Sequence, residues 1–141
     1  MNKSAFQKID RSDKRLYGPA AIVVCGYDPS EHTTIANALE KMGLADRPIV
    51  FATRADLSRT LADVLGSADR QGMGAASPMA RAILMSGFTQ KEVHLLMSIY
   101  RKAEMPQQLW ATLTPVSETW TLRALLEELA AEAAAFKKRH D

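Results

Sequence analysis

Apolar residues along the chain form short continuous runs that alternate with longer segments of helical periodicity. Each run is aliphatic or β-branched, is too short for a helix and is bounded by turn residues, a pattern that predicts a buried strand. The four runs are AAIVVC, PIVFAT, ARAILM and QLWATLT. The last helical segment is the best defined, since its apolar residues share one face: Leu122, Leu125, Leu126, Leu129, Ala133 and Phe136.

The chain also repeats itself at an offset of 61 residues. The stretch AIVVCGYDPSE from Ala21 aligns with AILMSGFTQKE from Ala82, and TLADVL at 60–65 aligns with TLRALL at 121–126. Each unit predicts a strand, a helix, a second strand and a second helix.

The repeat divides the chain into predicted regions. Residues 20–141 form a single domain, made of one repeat at 20–66 and another at 81–139. A linker rich in Gly, Ala and Ser, residues 67–80, joins them. Residues 1–19 precede the first strand as a basic N-terminal arm.

Strands joined by crossover helices favour a parallel sheet, and nearly continuous apolar strands favour a sheet covered on both faces. We therefore predict an α/β fold, in which two tandem βαβα repeats form a four-stranded, mainly parallel sheet of order 2-1-3-4 with helices on both faces. A pseudo-twofold axis along the strands would relate the repeats. The alternative is a ferredoxin-like α+β arrangement with an antiparallel sheet.

Composition and charge narrow the classes of function. The chain has 141 residues and a net charge of +2. The arm alone carries five Lys or Arg and two Asp, so the rest of the chain has no basic surplus, and we do not expect it to bind nucleic acid. No apolar run reaches the ~18 residues of a membrane helix, and the N-terminus lacks the apolar core of a signal peptide. With a single cysteine, the expected location is cytoplasmic.

Two sequence motifs resemble those of a known family. The pattern GF-x-x-x-E spans Gly87 to Glu92, and W-x-L-x-x-L-L-x-E-L begins at Trp120. On these motifs, residues 20–135 resemble an uncharacterised bacterial family, the domain of unknown function number three-seven-eight-three. The resemblance is strongest in the second unit, since Arg59 stands where the first unit would have the counterpart of Trp120. It implies a small cytoplasmic domain and no specific activity.

In a parallel α/β sheet, ligands bind beyond the carboxyl ends of the strands, where the strand order reverses. The loops expected there, together with the starts of the later helices, supply the candidate ligand- or partner-binding residues. These are Gly26, Tyr27, Asp28, Gly87, Phe88, Thr89, Thr114 and Trp120. Asp28 and Thr89 also have a Glu three residues on, so helix capping explains them without a ligand.

No motif for catalysis or metal binding stands out. Cys25 ends the first strand beside Asp28 and Glu31, whose charges would repel a phosphate, so we interpret it as a packing residue and leave its reactivity open. The three histidines lack the spacing of metal ligands, and no glycine-rich phosphate loop follows a strand. We therefore predict no catalytic residue, no metal and no cofactor.

Two hypotheses of function stay open. The first is a non-enzymatic module that binds a small ligand or a partner protein, the partner being another protein or a second copy in a homodimer. The second is a small enzyme or sensor that acts on an anionic metabolite at the cleft between the repeats. An enzyme should show a closed pocket with convergent polar groups, whereas an interaction module should show an exposed apolar patch or a dimer interface.

Overall fold

The computed structural model of the protein describes residues 14–44, 46–102 and 108–140. The strands are β1 (Ala21–Cys25), β2 (Ile49–Phe51), β3 (Ala82–Ser86) and β4 (Leu109–Thr112). The α-helices are α1 (His32–Lys41), α2 (Leu61–Leu65), α3 (Gln90–Lys102) and α4 (Leu122–His140). Short 3-10 segments at Pro29–Glu31, Arg54–Ser58 and Ser117–Thr119 precede α1, α2 and α4. No helix in the described ranges has both the length and the apolar character needed to cross a bilayer.

The four strands form one sheet in the predicted order, β2-β1-β3-β4. β1 is parallel to β2 and β3 is parallel to β4, whereas the central pair, β1 and β3, is antiparallel. Two of the three pairs are parallel, which confirms the mainly parallel sheet. The antiparallel sheet of the ferredoxin-like alternative is not the one observed.

The central pair corrects the expected symmetry. Val23 lies opposite Leu84, and Cys25 at the end of β1 lies opposite Ala82 at the start of β3. Antiparallel neighbours direct their carboxyl ends to opposite ends of a sheet. An axis that relates the two halves must therefore pass through the sheet, so the prediction of an axis along the strands is wrong.

The segment between the units explains why the central strands run in opposite directions. After α2 the chain runs beside β2 once more, in the same direction: Arg70 N donates to Ile49 O at 2.8 Å, and Phe51 N donates to Gln71 O at 2.9 Å. It then crosses the end of the sheet, where Gly26 N donates to Ser77 Oγ at 2.8 Å. The chain thus enters β3 at the end where β1 finishes.

The helices cover the sheet on both faces, as predicted. α2 and α4 pack on one face, where the core is formed by residues such as Val23, Val50, Leu84, Leu61 and Leu122. α1 and α3 pack on the other face, with a second core that includes Ile22, Ile49, Ile83, Leu39 and Leu96. Alternation along each strand supplies both cores.

The two halves have the same strand register at the offset of 61. Ile22 pairs with Ile49 in the first half, and Ile83 pairs with Trp110 in the second. Helices α2 and α4 meet at their starts in a reciprocal pair of hydrogen bonds, Leu61 N to Trp120 O at 2.8 Å and Leu122 N to Arg59 O at 2.9 Å. These residues also differ by 61, as expected if the pseudo-axis passes between them.

Residues before β1 contact the second half. Leu16 N donates to Phe88 O at 2.6 Å, and Gly87 N donates to Tyr17 O at 3.2 Å. Arg15 adds a hydrogen bond from Nη1 to Gly87 O at 3.3 Å. Residues 14–19 of the predicted arm therefore pack along the loop after β3, while the domain boundaries drawn from the sequence stay a prediction.

A substitution at Gly72 tests how closely the segment between α2 and β3 approaches β2. Gly72 and Gly43 both have φ +81°, but a Cβ on Gly72 would collide with the carbonyl oxygen of Phe51, whereas a Cβ on Gly43 would meet nothing within 4 Å. We expect Gly43→Ala to cost about 1 kcal/mol through its backbone conformation alone. Gly72→Ala should cost about 3 kcal/mol or more, measured by urea unfolding. Equal costs for the two variants would contradict the close approach.

Candidate functional site

The antiparallel centre separates the residues predicted to share one site. Gly26, Tyr27 and Asp28 follow β1, and a Cβ on Gly26 would meet the backbone of Met79 and Ala80 ahead of β3. Gly87, Phe88 and Thr89 follow β3 at the opposite end of the sheet, with Thr114 just beyond β4 at that same end. Trp120 lies on the face covered by α2 and α4. The expectation that these loops lie together at the carboxyl ends of parallel strands is therefore wrong.

The loop after β1 lines a shallow groove of about 370 Å³ together with residues 76–78 and Arg81. The Tyr27 ring is buried, its hydroxyl bonds that of Tyr100, and the Arg81 guanidinium lies 5.5 Å from the ring centroid. Burial, followed by the hydrogen bond with Tyr100, raises the pKa of Tyr27. Glu31 lies 3.8 Å from Arg81, so the cation already has an acidic neighbour.

The loop after β3 is held by a partly buried ion pair. Arg47 is 4% exposed, lies over the Phe88 ring at 5.0 Å and donates two hydrogen bonds to the Glu92 carboxylate, at 3.2 and 3.1 Å. Thr89 N also donates to Glu92, at 2.9 Å. Burial pushes the pKa of Glu92 up, but the hydrogen bonds from Arg47 and Thr89, with the Arg47 charge, bring that pKa below its usual value. The Phe88 ring is itself fully buried.

The polar candidates are engaged in helix starts. Asp28 Oδ1 accepts from Ser30 N at 2.9 Å, and Thr89 Oγ1 accepts from Glu92 N at 3.1 Å. Thr114 and Ser117 make the equivalent reciprocal pair, each backbone N–H donating at 3.0 Å to the other side chain. Capping satisfies the first backbone N–H groups of a helix. The polar atoms of Asp28, Thr89 and Thr114 thus already have structural partners.

Cys25 lies in the core and not at a reactive surface. It is 1% exposed, and burial, with a smaller contribution from Asp56, raises the pKa of its thiol from 9.0 to about 12. His32 also has a structural role, since its ring stacks on Phe51 at 4.4 Å and its Nδ1 accepts from Gly74 N at 2.9 Å. Across the described ranges, no three potential metal-ligating side chains cluster together.

The two outer edges of the sheet differ, a feature that the sequence reasoning missed. Three of the four outward backbone groups of Ile49 and Phe51 in β2 are occupied, because Ile49 N donates to Asp69 Oδ1 at 2.9 Å and residues 70–71 bond Ile49 O and Phe51 N. At the offset of 61, residues 130–132 would take the place of this cover. They lie within helix α4 instead.

No residue in the described ranges covers the outer edge of β4. Leu109 N donates to Arg81 O at 3.0 Å and Leu113 N donates to Met85 O at 3.1 Å, so the odd-numbered residues face β3. The N–H and C=O groups of Trp110 and Thr112 therefore point away from the sheet. Within the part of the chain that the structure describes, no backbone or side-chain group pairs with them.

A groove runs between this open edge and the second half of α4. It measures about 510 Å³, and we call it the edge groove. Its lining residues are Gln108, Leu109, Trp110, Leu129, Glu132, Ala133, Phe136 and Arg139. Residues 131–139 of α4 are all exposed, whereas Leu122, Leu125 and Leu126 are buried on the sheet.

Gln108 adds an unpaired amide to the edge groove. Its Oε1 and Nε2 are both buried, and neither has a hydrogen-bond partner among the described residues. At the offset of 61 it corresponds to Arg47, which is paired with Glu92. A sequence signal for this region did exist, because the apolar stripe of the last helix continues to Ala133 and Phe136, well past the counterpart of Leu65.

Residues 81–136 match the model of a family described as a domain of unknown function (DUF3783). The matched segment begins just before β3 and includes every residue of the edge groove except Arg139. No curated protein and no solved structure matches the chain. The resemblance predicted for residues 20–135 is thus supported in the second unit, and its extension over residues 20–80 stays a prediction.

The burial of Cys25 predicts slow modification of the folded chain. The rise of its pKa from 9.0 to about 12 should lower the thiolate fraction near pH 8 by roughly 1,000-fold. We therefore expect a disulfide reagent such as DTNB to react with the native protein at least about 100-fold more slowly than with the chain in guanidinium chloride. As the chain has one cysteine, the absorbance change reports this thiol alone. Comparable rates in the two states would contradict a buried thiol.

The ion pair at the loop after β3 predicts a pH-dependent contribution to stability. Replacing Glu92 by Gln keeps an acceptor for Thr89 N but leaves Arg47 with only the longer contact to the exposed Asp46, at 3.4 Å, so we expect the free energy of unfolding at pH 7 to fall by about 2 kcal/mol. Glu31→Gln is the matched control, because Glu31 accepts from Asp28 N at 3.0 Å but has only the distant Arg81. It should cost about 1 kcal/mol or less.

The sign of the pH effect follows from the lowered pKa of Glu92. Its carboxylate stabilises the fold fully above the ordinary value of 4.5, and this contribution is lost as the pH falls through the lower folded value. The difference between the wild-type chain and Glu92→Gln in urea unfolding should therefore shrink below pH 4.5. A difference that stays constant to lower pH would show that the pair does not lower the pKa.

Proposed function

We propose that the chain is a protein-interaction module that binds an extended segment of a partner along the edge groove. The observation that carries this proposal is the unequal treatment of the two sheet edges. Three of the four outward groups of Ile49 and Phe51 are paired with residues 69–71, whereas those of Trp110 and Thr112 have no partner among the described residues. An open edge strand is a template for the addition of another strand.

The groove beside the edge supports the same proposal. Strand addition draws affinity from main-chain hydrogen bonds and specificity from adjacent side-chain contacts. Leu129, Ala133 and Phe136 offer an apolar wall, and Phe136 is 58% exposed. The Gln108 amide has both a donor and an acceptor, but its atoms are shielded from solvent, so it can bond a partner's backbone only if the side chain turns outward.

The alternative hypothesis, an enzyme or sensor for an anionic metabolite, depended on a cleft between the repeats. Gly26 and Gly87 lie at opposite ends of the sheet, so their loops do not converge on one ligand. The acidic caps Asp28 and Glu31 flank Arg81 in the groove after β1, which disfavours a second anion there. We therefore favour the interaction module.

We also propose that the two halves derive from one duplicated unit, as in the resemblance to a bacterial family. The equal registers at Ile22 with Ile49 and at Ile83 with Trp110 support this origin. A cytoplasmic location remains part of the proposal, supported by the single cysteine, which suits a reducing compartment.

Photo-crosslinking in cells tests the edge groove. A benzoylphenylalanine probe replaces Ala133, which lines the groove, and the matched control carries the probe at Ala62, an exposed alanine on α2. We expect the Ala133 probe to give at least about tenfold more adduct than the control, because only the Ala133 probe lies on the surface that contacts the partner. Mass spectrometry of the adduct identifies the partner and the crosslinked peptide.

A second substitution links the adduct to the strand edge. Thr112→Pro removes an N–H that points outward, so it spares the bonds between β3 and β4 while blocking strand addition. We expect it to abolish the Ala133 adduct while the circular dichroism spectrum is retained. Equal amounts of crosslinked adduct from the two probe positions would contradict the proposal, and so would an adduct that persists in folded Thr112→Pro.

A further inference from the structure

We infer that the partner at the edge groove is a second copy of this chain. The two β4 strands pair antiparallel about a twofold axis at Ala111, and the two four-stranded sheets join into one of eight strands. This inference rests on the proposed function and specifies the partner of the same site. Three features of the described residues support it: the geometry of the edge, the charges of α4 and the cover over β2.

The edge of β4 is complementary to itself. In an antiparallel pair, directly opposite residues whose groups face each other exchange both N–H to O=C bonds. Trp110 and Thr112 are the outward-facing residues, and they lie one position on either side of Ala111. An axis at Ala111 therefore sets Trp110 of one copy against Thr112 of the other, twice. About four interchain hydrogen bonds result, with every outward group of the strand used.

The second half of α4 has a charge distribution that favours antiparallel association. Acidic residues lie before Ala133 and basic residues lie after Phe136. They are Glu127, Glu128 and Glu132, then Lys137, Lys138 and Arg139. Glu132 and Arg139 both line the edge groove and are both exposed. When two α4 helices lie antiparallel about a point between Ala135 and Phe136, Glu132 of each copy faces Arg139 of the other. An isologous interface requires this reciprocity.

The small side chains near this centre permit close contact between the helices. Residues 133–135 are all alanine, and Ala133 lines the groove beside Phe136. In a dimer whose twofold axis at Ala111 also passes this centre of α4, each exposed Phe136 side chain gains apolar contact with the other copy. The sequence EAAAFKKR from Glu132 thus combines a small apolar centre with opposite charges at its two ends.

The opposite edge of the sheet limits the assembly to two copies. Residues 69–71 bond three of the four outward groups of Ile49 and Phe51, namely Ile49 N, Ile49 O and Phe51 N, so β2 cannot accept another strand without their displacement. With one open edge per chain in the described ranges, twofold pairing leaves no further edge for growth. Closure of this kind distinguishes a dimer from the open fibres formed by head-to-tail association.

Analytical ultracentrifugation of the full chain tests this inference with charge-swap variants. The wild type should sediment as a dimer. Arg139→Glu or Glu132→Arg alone should weaken self-association by about tenfold, since each places two pairs of like charges in contact. The double variant E132R/R139E should restore the wild-type dissociation constant to within about threefold. Lys138→Glu is the matched control, with the same charge change at an exposed residue outside the groove, and should have little effect.

The outcomes separate this inference from the proposed function. If the double variant regains the wild-type dissociation constant and Thr112→Pro is monomeric, the results support a second copy of the chain as the partner. A wild type that is monomeric at its highest soluble concentration overturns it, as does a dimer that is insensitive to the charge swaps. If the chain is monomeric and the Ala133 probe crosslinks to a different protein, only the second-copy inference fails. If it is monomeric and the probe gives no adduct, the proposed function fails as well.

Discussion

The antiparallel pairing of β1 with β3 is the constraint on which the rest of the structure depends. It places Val23 opposite Leu84 at the centre of the sheet and rotates the second half by half a turn within the sheet plane relative to the first. The starts of α2 and α4 consequently meet on one face, where Leu61 and Leu122 are fully buried and exchange hydrogen bonds with the backbone of Trp120 and Arg59. The same pairing sends the loops after β1 and β3 to opposite ends, so neither can complete a site with the other.

The two halves use similar elements but treat their outer strands differently. In the first half a short helix, α2, is followed by a segment that returns along β2 and covers its edge. In the second half the corresponding residues continue as α4, so no described residue covers the edge of β4, and the exposed end of the helix lies beside it. An exposed edge is an aggregation hazard that proteins generally block or use. This difference is the physical basis for assigning the binding role to the second half, which is also the half that matches the family model.

Polar residues at the helix starts serve stability before they serve binding. Asp28, Thr89 and Thr114 all bond the backbone of their own helix starts. The partly buried pair of Arg47 and Glu92 extends this role, since it connects the start of β2 with the start of α3 beneath the loop after β3. Capping residues and binding residues look alike in a sequence, because both are small or acidic groups at the ends of strands. Hydrogen-bond partners distinguish them, and these are visible only in the folded chain.

The sequence alone determined the features that depend on local periodicity: four strands, the capped helices, helices on both faces and the order β2-β1-β3-β4. Burial was predicted correctly for β1, β2 and β3, whereas β4 at the edge is only partly buried. Apolar runs, cap residues and the offset of 61 are properties of neighbouring or aligned positions, so they can be deduced without knowing the path of the chain. The direction of β3 relative to β1 could not be deduced from the sequence, because it depends on the extra pass of residues 69–72 beside β2. A stretch rich in Gly, Ala and Ser predicts a linker but not the direction in which that linker runs. The open edge of β4 is likewise decided by tertiary structure, since an edge exists only when no other segment of the fold covers it.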